Sequence, residues 1–110
     1  LWGTGTPKRE FLHVDDLANA VVFALENKLD EPFYNVGSES EISIKELSLL
    51  IQKITCYNGN ILWDKDKPDG TPRKLIDSEK LNKLGWYSTI SIVEGIKSTY
   101  INFNSMIDEK

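Results

Sequence analysis

The residues with the most chemistry to offer stand at the start of the chain, in the stretch Leu1 to Asp16, LWGTGTPKREFLHVDD. Trp2 provides a flat apolar face with one N–H donor, and Arg9 a planar fork of donors that matches phosphate or carboxylate oxygens two at a time. An aromatic plate beside an arginine fork suits a nucleotide. Gly3 and Gly5 open backbone conformations closed to other residues and Pro7 fixes its own φ, so the segment reads as a shaped turn. The alternative is that Trp2 packs on the core and Arg9 pairs with Glu10 or an aspartate. Gly3-Thr4-Gly5 is not the dinucleotide fingerprint, because no third glycine stands at Lys8 and no complete βαβ unit surrounds it.

A second polar stretch, Asp64 to Lys74, reads DKDKPDGTPRK. It has nothing to bury, yet Pro68 and Pro72 stiffen it and Pro-Asp-Gly sets a definite turn, so part of its ordering cost is met in advance. Stiff polar loops often carry ligands, with Asp69 as the acceptor for hydroxyl or ring N–H groups and Arg73 and Lys74 as anion donors. A plain solvated surface loop is the alternative. His13, the sole histidine, lies in a strand next to a helix cap, where a structural role is commoner than proton transfer. Cys56 is the sole cysteine, which excludes an internal disulfide and a cysteine-rich metal site.

These residues need a frame, and 110 residues supply one domain with a single core. The net charge of −4 and pI near 5.0 leave no diffuse basic field, so nucleic acid and anionic membranes are excluded as partners. No apolar run reaches the length of a membrane span, and a cytoplasmic location is expected. The chain opens without a methionine inside its most decorated loop, as a piece of a larger protein would.

The patterning predicts strands at Glu10–Val14, Phe33–Val36 and Ile61–Trp63. Asp15 or Asp16 would cap a helix whose apolar residues Leu17, Val21, Ala24 and Leu25 face the core. Ser43 with Glu46 has the capping-box spacing and starts a helix running to Thr55, with Ile44, Leu47, Ile51 and Ile54 on one face. Asp77-Ser78 opens a short helix that Gly85 stops, with Trp86 and Tyr87 packing behind it. Ser91 with Glu94 opens the last helix, striped by Ile92, Ile96, Thr99, Tyr100 and Phe103. The domain would span residues 1–104, followed by a frayed tail at 105–110. The fold class is α/β, a small unit of short strands with about four helices.

Taken together, Trp2 to Phe11, His13-Val14-Asp15-Asp16, Asn35-Val36-Gly37, Lys67 to Lys74 and Leu84-Gly85-Trp86 resemble the C-terminal part of the GDP-L-fucose synthases. These enzymes lie within the extended short-chain dehydrogenase/reductase family. The segments REF, HVDD and NVG indicate that wider family; KPDGTPRK is the narrower signal. The resemblance implies a small substrate-binding domain whose Rossmann partner, the N-terminal domain of the same protein, holds NADP(H). It implies a whole enzyme, a homodimer, that epimerises and reduces a GDP-4-keto-6-deoxy-mannose. By motif, Trp2, Arg9 and Asp69 become substrate-binding residues, with Arg73 and Lys74 secondary. The family's serine, Tyr-x-x-x-Lys pair, and epimerising cysteine and histidine have no counterpart here, and neither His13 nor Cys56 inherits those roles. No catalytic, cofactor-binding or metal residue is therefore expected in this stretch, and alone it should be inactive. Two other readings stay open: the same domain of another nucleotide-sugar epimerase or dehydratase, or a free-standing binding module without chemistry.

Overall fold

The computed structural model describes residues 1–108. Its elements are β1 (Lys8–Glu10), α1 (Val14–Glu26), β2 (Glu41–Ser43), α2 (Ile44–Thr55), β3 (Arg73–Lys74), α3 (Glu79–Lys83) and α4 (Ile92–Asp108). The strands form one sheet in the order β2-β1-β3, with β1 antiparallel to β2 and parallel to β3. Arg9 thus sits at the centre of the sheet, opposite Ile42 on one side and Lys74 on the other.

The strands differ from those the pattern predicts. The first ends at Glu10 instead of starting there, since Val14 already opens α1. Phe33–Val36 and Ile61–Trp63 stay outside the sheet, and their alternation serves packing. Tyr34 and Val36 rest against the buried cluster of Ala20, Leu81 and Trp86, and the Trp63 ring lies over Gly5. The polar segments Glu41–Ser43 and Arg73–Lys74 pair instead, because β1 leaves two open edges whose N–H and C=O groups need partners.

Helix starts follow local chemistry. The capping box of α2 is present in full: the Ser43 hydroxyl accepts the Glu46 N–H at 3.1 Å, and the Glu46 carboxylate accepts the Ser43 N–H at 3.0 Å. Ser43 donors hold the Glu46 carboxyl below the ordinary carboxylate range. The same pairing recurs at the start of α4 between Ser91 and Glu94. In α1 the cap is His13, whose Nδ1 accepts the Asp15 N–H at 3.1 Å. A backbone N–H only donates, so Nδ1 carries the lone pair, the proton sits on Nε2, and Nε2 donates to Ser98 Oγ at 3.2 Å. One ring nitrogen thus caps α1 and the other ties it to α4.

Asp16 replaces the expected capping role with a deeper one. Its carboxylate is 1% exposed and accepts the N–H groups of Thr89 and Ile90 at 3.0–3.1 Å, together with the Thr89 hydroxyl. With Asp16 turned inward, the residue one turn later that shares its face is Ala20, which is buried. Leu17, Val21 and Leu25 consequently point outward, Leu25 being 82% exposed, instead of facing the core. Between α2 and α4 the apolar stripes of Leu47, Ile51, Ile92, Ile96 and Tyr100 bound an open groove of about 460 Å³. The last helix continues through Asp108, past the expected end at Asn104, because no glycine or proline interrupts it. Residues 105–108, expected to fray, are helical, and 109–110 lie outside the described residues.

Replacing Asp16 with alanine leaves two part-buried backbone donors without their charged acceptor and is expected to destabilise the protein by about 3 kcal/mol. Thr89→Val, which removes one hydroxyl, costs about 1 kcal/mol. Urea unfolding of both variants measures this, and an Asp16→Ala loss no larger than that of Thr89→Val contradicts the assignment.

Candidate functional site

Two loops and one strand meet at the site: residues 1–7, residues 64–72, and β1 between them. Loop 1–7 is tied down by its backbone. Gly3 N–H donates to Asp64 O at 2.8 Å and Asp64 N–H to Leu1 O at 2.7 Å, which sets Trp2 beside Asp64. The carbonyls of Gly5 and Pro7 accept the Lys45 and Ile44 N–H groups at 2.9 and 3.0 Å. They thereby satisfy two of the donors that the start of α2 leaves without intrahelical partners. Gly3 and Gly5 both have positive φ, +78° and +77°. Neither has room for a side chain, since the Asp69 carboxylate and the Trp63 ring occupy the places a Cβ would take.

Of the expected binding residues, Trp2 is 73% exposed and does not pack on the core. Its ring faces solvent, with the Lys67 ammonium 5.5 Å from its centroid. A cation over an aromatic face is attracted by the ring's electron-rich centre. Arg9 pairs neither with Glu10 nor with an aspartate. Its Nη1 donates to the carbonyls of Lys8 and Thr71, both at 2.7 Å, which clamps the side chain to the second loop while the rest of the fork stays available. Glu10 instead accepts the Glu39 N–H at 2.8 Å, holding the turn after Gly37, where Glu39 has a positive φ of 56°.

Asp69 lies where the two loops touch. Its Oδ1 accepts the Thr4 N–H at 2.8 Å and its Oδ2 the Thr4 hydroxyl at 2.7 Å; a further contact of 2.8 Å joins the Thr4 and Thr6 hydroxyls. These donors hold the Asp69 carboxyl below the ordinary aspartate range. Arg73 is directed away from the site: its Nε donates to Glu41 at 2.7 Å, and that partner raises its basicity further. Lys74 lies in β3 at the edge of the sheet. Trp2 and Asp69 therefore lie on two loops joined to each other, Arg9 is tied to the second of them, and Arg73 turns to Glu41.

Sequence reasoning missed Lys67 and Thr4. The first lies within the same KPDG turn that flagged Asp69, and the second is the only hydroxyl between two glycines. Among the described residues no group of three His, Cys, Asp or Glu side chains gathers in a way that could hold a metal ion. No helix there is long and apolar enough to cross a membrane. The Gly3–Gly5 turn runs into strand β1 and not onto a helix N-terminus, so it lacks the arrangement that holds a dinucleotide pyrophosphate.

The chain is similar to known proteins in sequence and in fold. Residues 1–37 match the model of the NAD dependent epimerase/dehydratase family. Over 100 residues the chain is 50% identical to a probable GDP-L-fucose synthase 1 of Oryza sativa, and over 109 residues 45% identical to the GDP-L-fucose synthase of Escherichia coli; each alignment covers 91% of the chain. It spans only 30% and 34% of those enzymes, about a third of their length. A GDP-L-fucose synthetase from Naegleria fowleri, solved bound to NADP, superposes with a TM-score of 0.89 at 26% identity, over 98% of this chain and 35% of that one.

The carboxylate of Asp69 stabilises the junction only while ionised. Because its folded value is lowered, the contribution is complete above the ordinary aspartate value and is lost as pH falls through the lowered one. The Thr4 amide resonance is thus expected to stay in place from neutrality down to about pH 4 and to move below it. Movement centred above that point contradicts the arrangement.

Proposed function

We propose that this chain, akin through nine-tenths of its length to the GDP-L-fucose synthases of the extended short-chain dehydrogenase/reductase family, is the part of such an enzyme that grips the GDP-sugar. The observation that carries this reading is that Arg9 is tied to the same pair of joined loops that carries the exposed Trp2 and Lys67, in a chain so closely related to those enzymes. Arg9 is held from behind by two carbonyls, which leaves its remaining N–H groups preorganised for a phosphate oxygen. Lys67 adds a mobile second charge. The exposed Trp2 ring offers a stacking or covering surface for the base or sugar. Asp69, at the joint between the loops, belongs to the site as well.

The whole protein would then epimerise GDP-4-keto-6-deoxy-mannose on both sides of its ketone and reduce the ketone with NADPH, as a homodimer in the cytoplasm. In this reading NADP(H) is held by another part of the protein. Binding a remote, unreactive handle such as GDP positions the reacting sugar without taking part in bond making. This chain's share of the reaction is that positioning.

In the complete enzyme, Arg9→Ala is expected to weaken GDP binding by about 1.5–3 kcal/mol, the range for hydrogen bonds to a charged group, while NADP(H) affinity stays within about twofold. Calorimetric titrations with GDP, UDP and NADPH measure it. Equal loss for GDP and NADPH, or a wild type that prefers UDP, overturns the reading.

A further inference from the structure

We infer that Asn58-Gly59, in the loop that follows α2, is a site of spontaneous covalent modification, where the asparagine amide is lost as ammonia and an isoaspartate or aspartate takes its place. The inference is independent of the proposed GDP-sugar site.

Among the chain's asparagines only Asn58 precedes a glycine. Asn58 is exposed and lies outside every helix and strand, and among the described residues no hydrogen bond engages its side chain or the Gly59 N–H. Gly59 has no Cβ to shield its backbone nitrogen from the neighbouring amide. The other asparagines are protected. Asn19, Asn82, Asn102 and Asn104 are held in helices. Asn27 donates its amide to the Phe23 carbonyl, and Asn35 and Asn60 precede the branched Val36 and Ile61. Asp69-Gly70 supplies an internal contrast. It has the same following glycine, but cyclisation there needs a neutral carboxyl, and the Thr4 donors favour the ionised one.

The reaction needs only water. The Gly59 nitrogen attacks Asn58 Cγ; the new N–Cγ bond forms as the Cγ–Nδ2 bond breaks, and Nδ2 leaves as ammonia with the proton of the Gly59 N–H. Water then opens the cyclic imide. Attack at the former backbone carbonyl routes the chain through Cγ, as isoaspartate, whereas attack at Cγ gives ordinary aspartate. Either product places a carboxylate just beyond the C-terminal end of α2, the end that disfavours negative charge. Isoaspartate also lengthens the backbone by one methylene next to a residue held from two sides. The Gln52 amide donates to the Gly59 carbonyl at 2.8 Å, and the Tyr57 hydroxyl occupies the place a Gly59 side chain would take. The added atom displaces Gly59 from these partners and loosens the link from α2 to Trp63, whose ring lies over Gly5.

The test ages the complete protein at mildly alkaline pH, folded and, in parallel, unfolded in urea. Peptide mass mapping and labelling by an isoaspartyl methyltransferase follow the conversion. The expected result is a mass gain of one dalton confined to the peptide that holds Asn58, with isoaspartate present in it. The folded rate should lie within about threefold of the unfolded one, as for a loop that opens at almost no cost. Asn58→Gln should abolish the conversion. Gly59→Ala, whose added methyl meets the end of the exposed Tyr57 side chain, should slow it to the rate of the other asparagines. An Asn58 that stays an amide in the folded protein, or isoaspartate that forms first at Asp69 or at another asparagine, overturns the inference.

Discussion

Strand β1 is three residues long, and the rest of the site depends on its being hydrogen-bonded along both edges. Glu41–Ser43 pairs with it on one side and Arg73–Lys74 on the other. A strand with two open edges in a chain this small must recruit partners, since unpaired buried N–H and C=O groups cost free energy comparable to a lost hydrogen bond. The partners it recruits are polar segments of low strand propensity, one leading into α2 and one ending the proline-rich loop. That choice draws the proline-rich loop up to Arg9. It also places the start of α2 under the carbonyls of Gly5 and Pro7, so one set of backbone bonds both completes a helix and shapes the loop that carries Trp2.

Asp16 does for the helices what β1 does for the loops. A buried carboxylate is tolerated where hydrogen bonds replace its lost water, and here two backbone N–H groups and a hydroxyl do so. The consequence reaches well beyond the contact, because one inward residue on a helix fixes which residues lie inward a turn later. Ala20 follows Asp16 into the interior, and the larger Leu17, Val21 and Leu25 are left outside. A single polar anchor has overruled the apolar stripe that would otherwise orient α1.

How much of this was legible in the sequence depended on whether the signal was local. The capping boxes of Ser43 with Glu46 and Ser91 with Glu94, the stop at Gly85 and the packing of Trp86 were all readable, because each is settled by residues within a few positions of one another. The strands were not, because pairing partners far along the chain decide them and apolar alternation at Phe33–Val36 and Ile61–Trp63 looks the same whether it serves a sheet or a core. Asp16 was mistaken for a cap because its partners lie more than seventy positions away. The loop residues Trp2, Arg9 and Asp69 could be picked out by type. That Asp69 turns to Thr4 and Arg9 to the Thr71 carbonyl is a fact of the folded chain alone.

The exposure of Trp2 is the last piece of this logic. A large aromatic ring left in water forgoes the stabilisation its burial would bring, on the order of 25 cal/mol for each Å² covered. A free loop would let the ring fold down onto nearby apolar surface, and Leu62 and Leu1 beside it offer such surface. It does not, because Gly3 and Asp64 hold the backbone in a bridge and Asp69 holds the bend that follows. The cost of keeping the ring open is thus met during folding by hydrogen bonds remote from its face. A ligand that covers Trp2 recovers the unrealised burial without reordering the loop, which is the condition under which apolar area contributes most of its value to affinity.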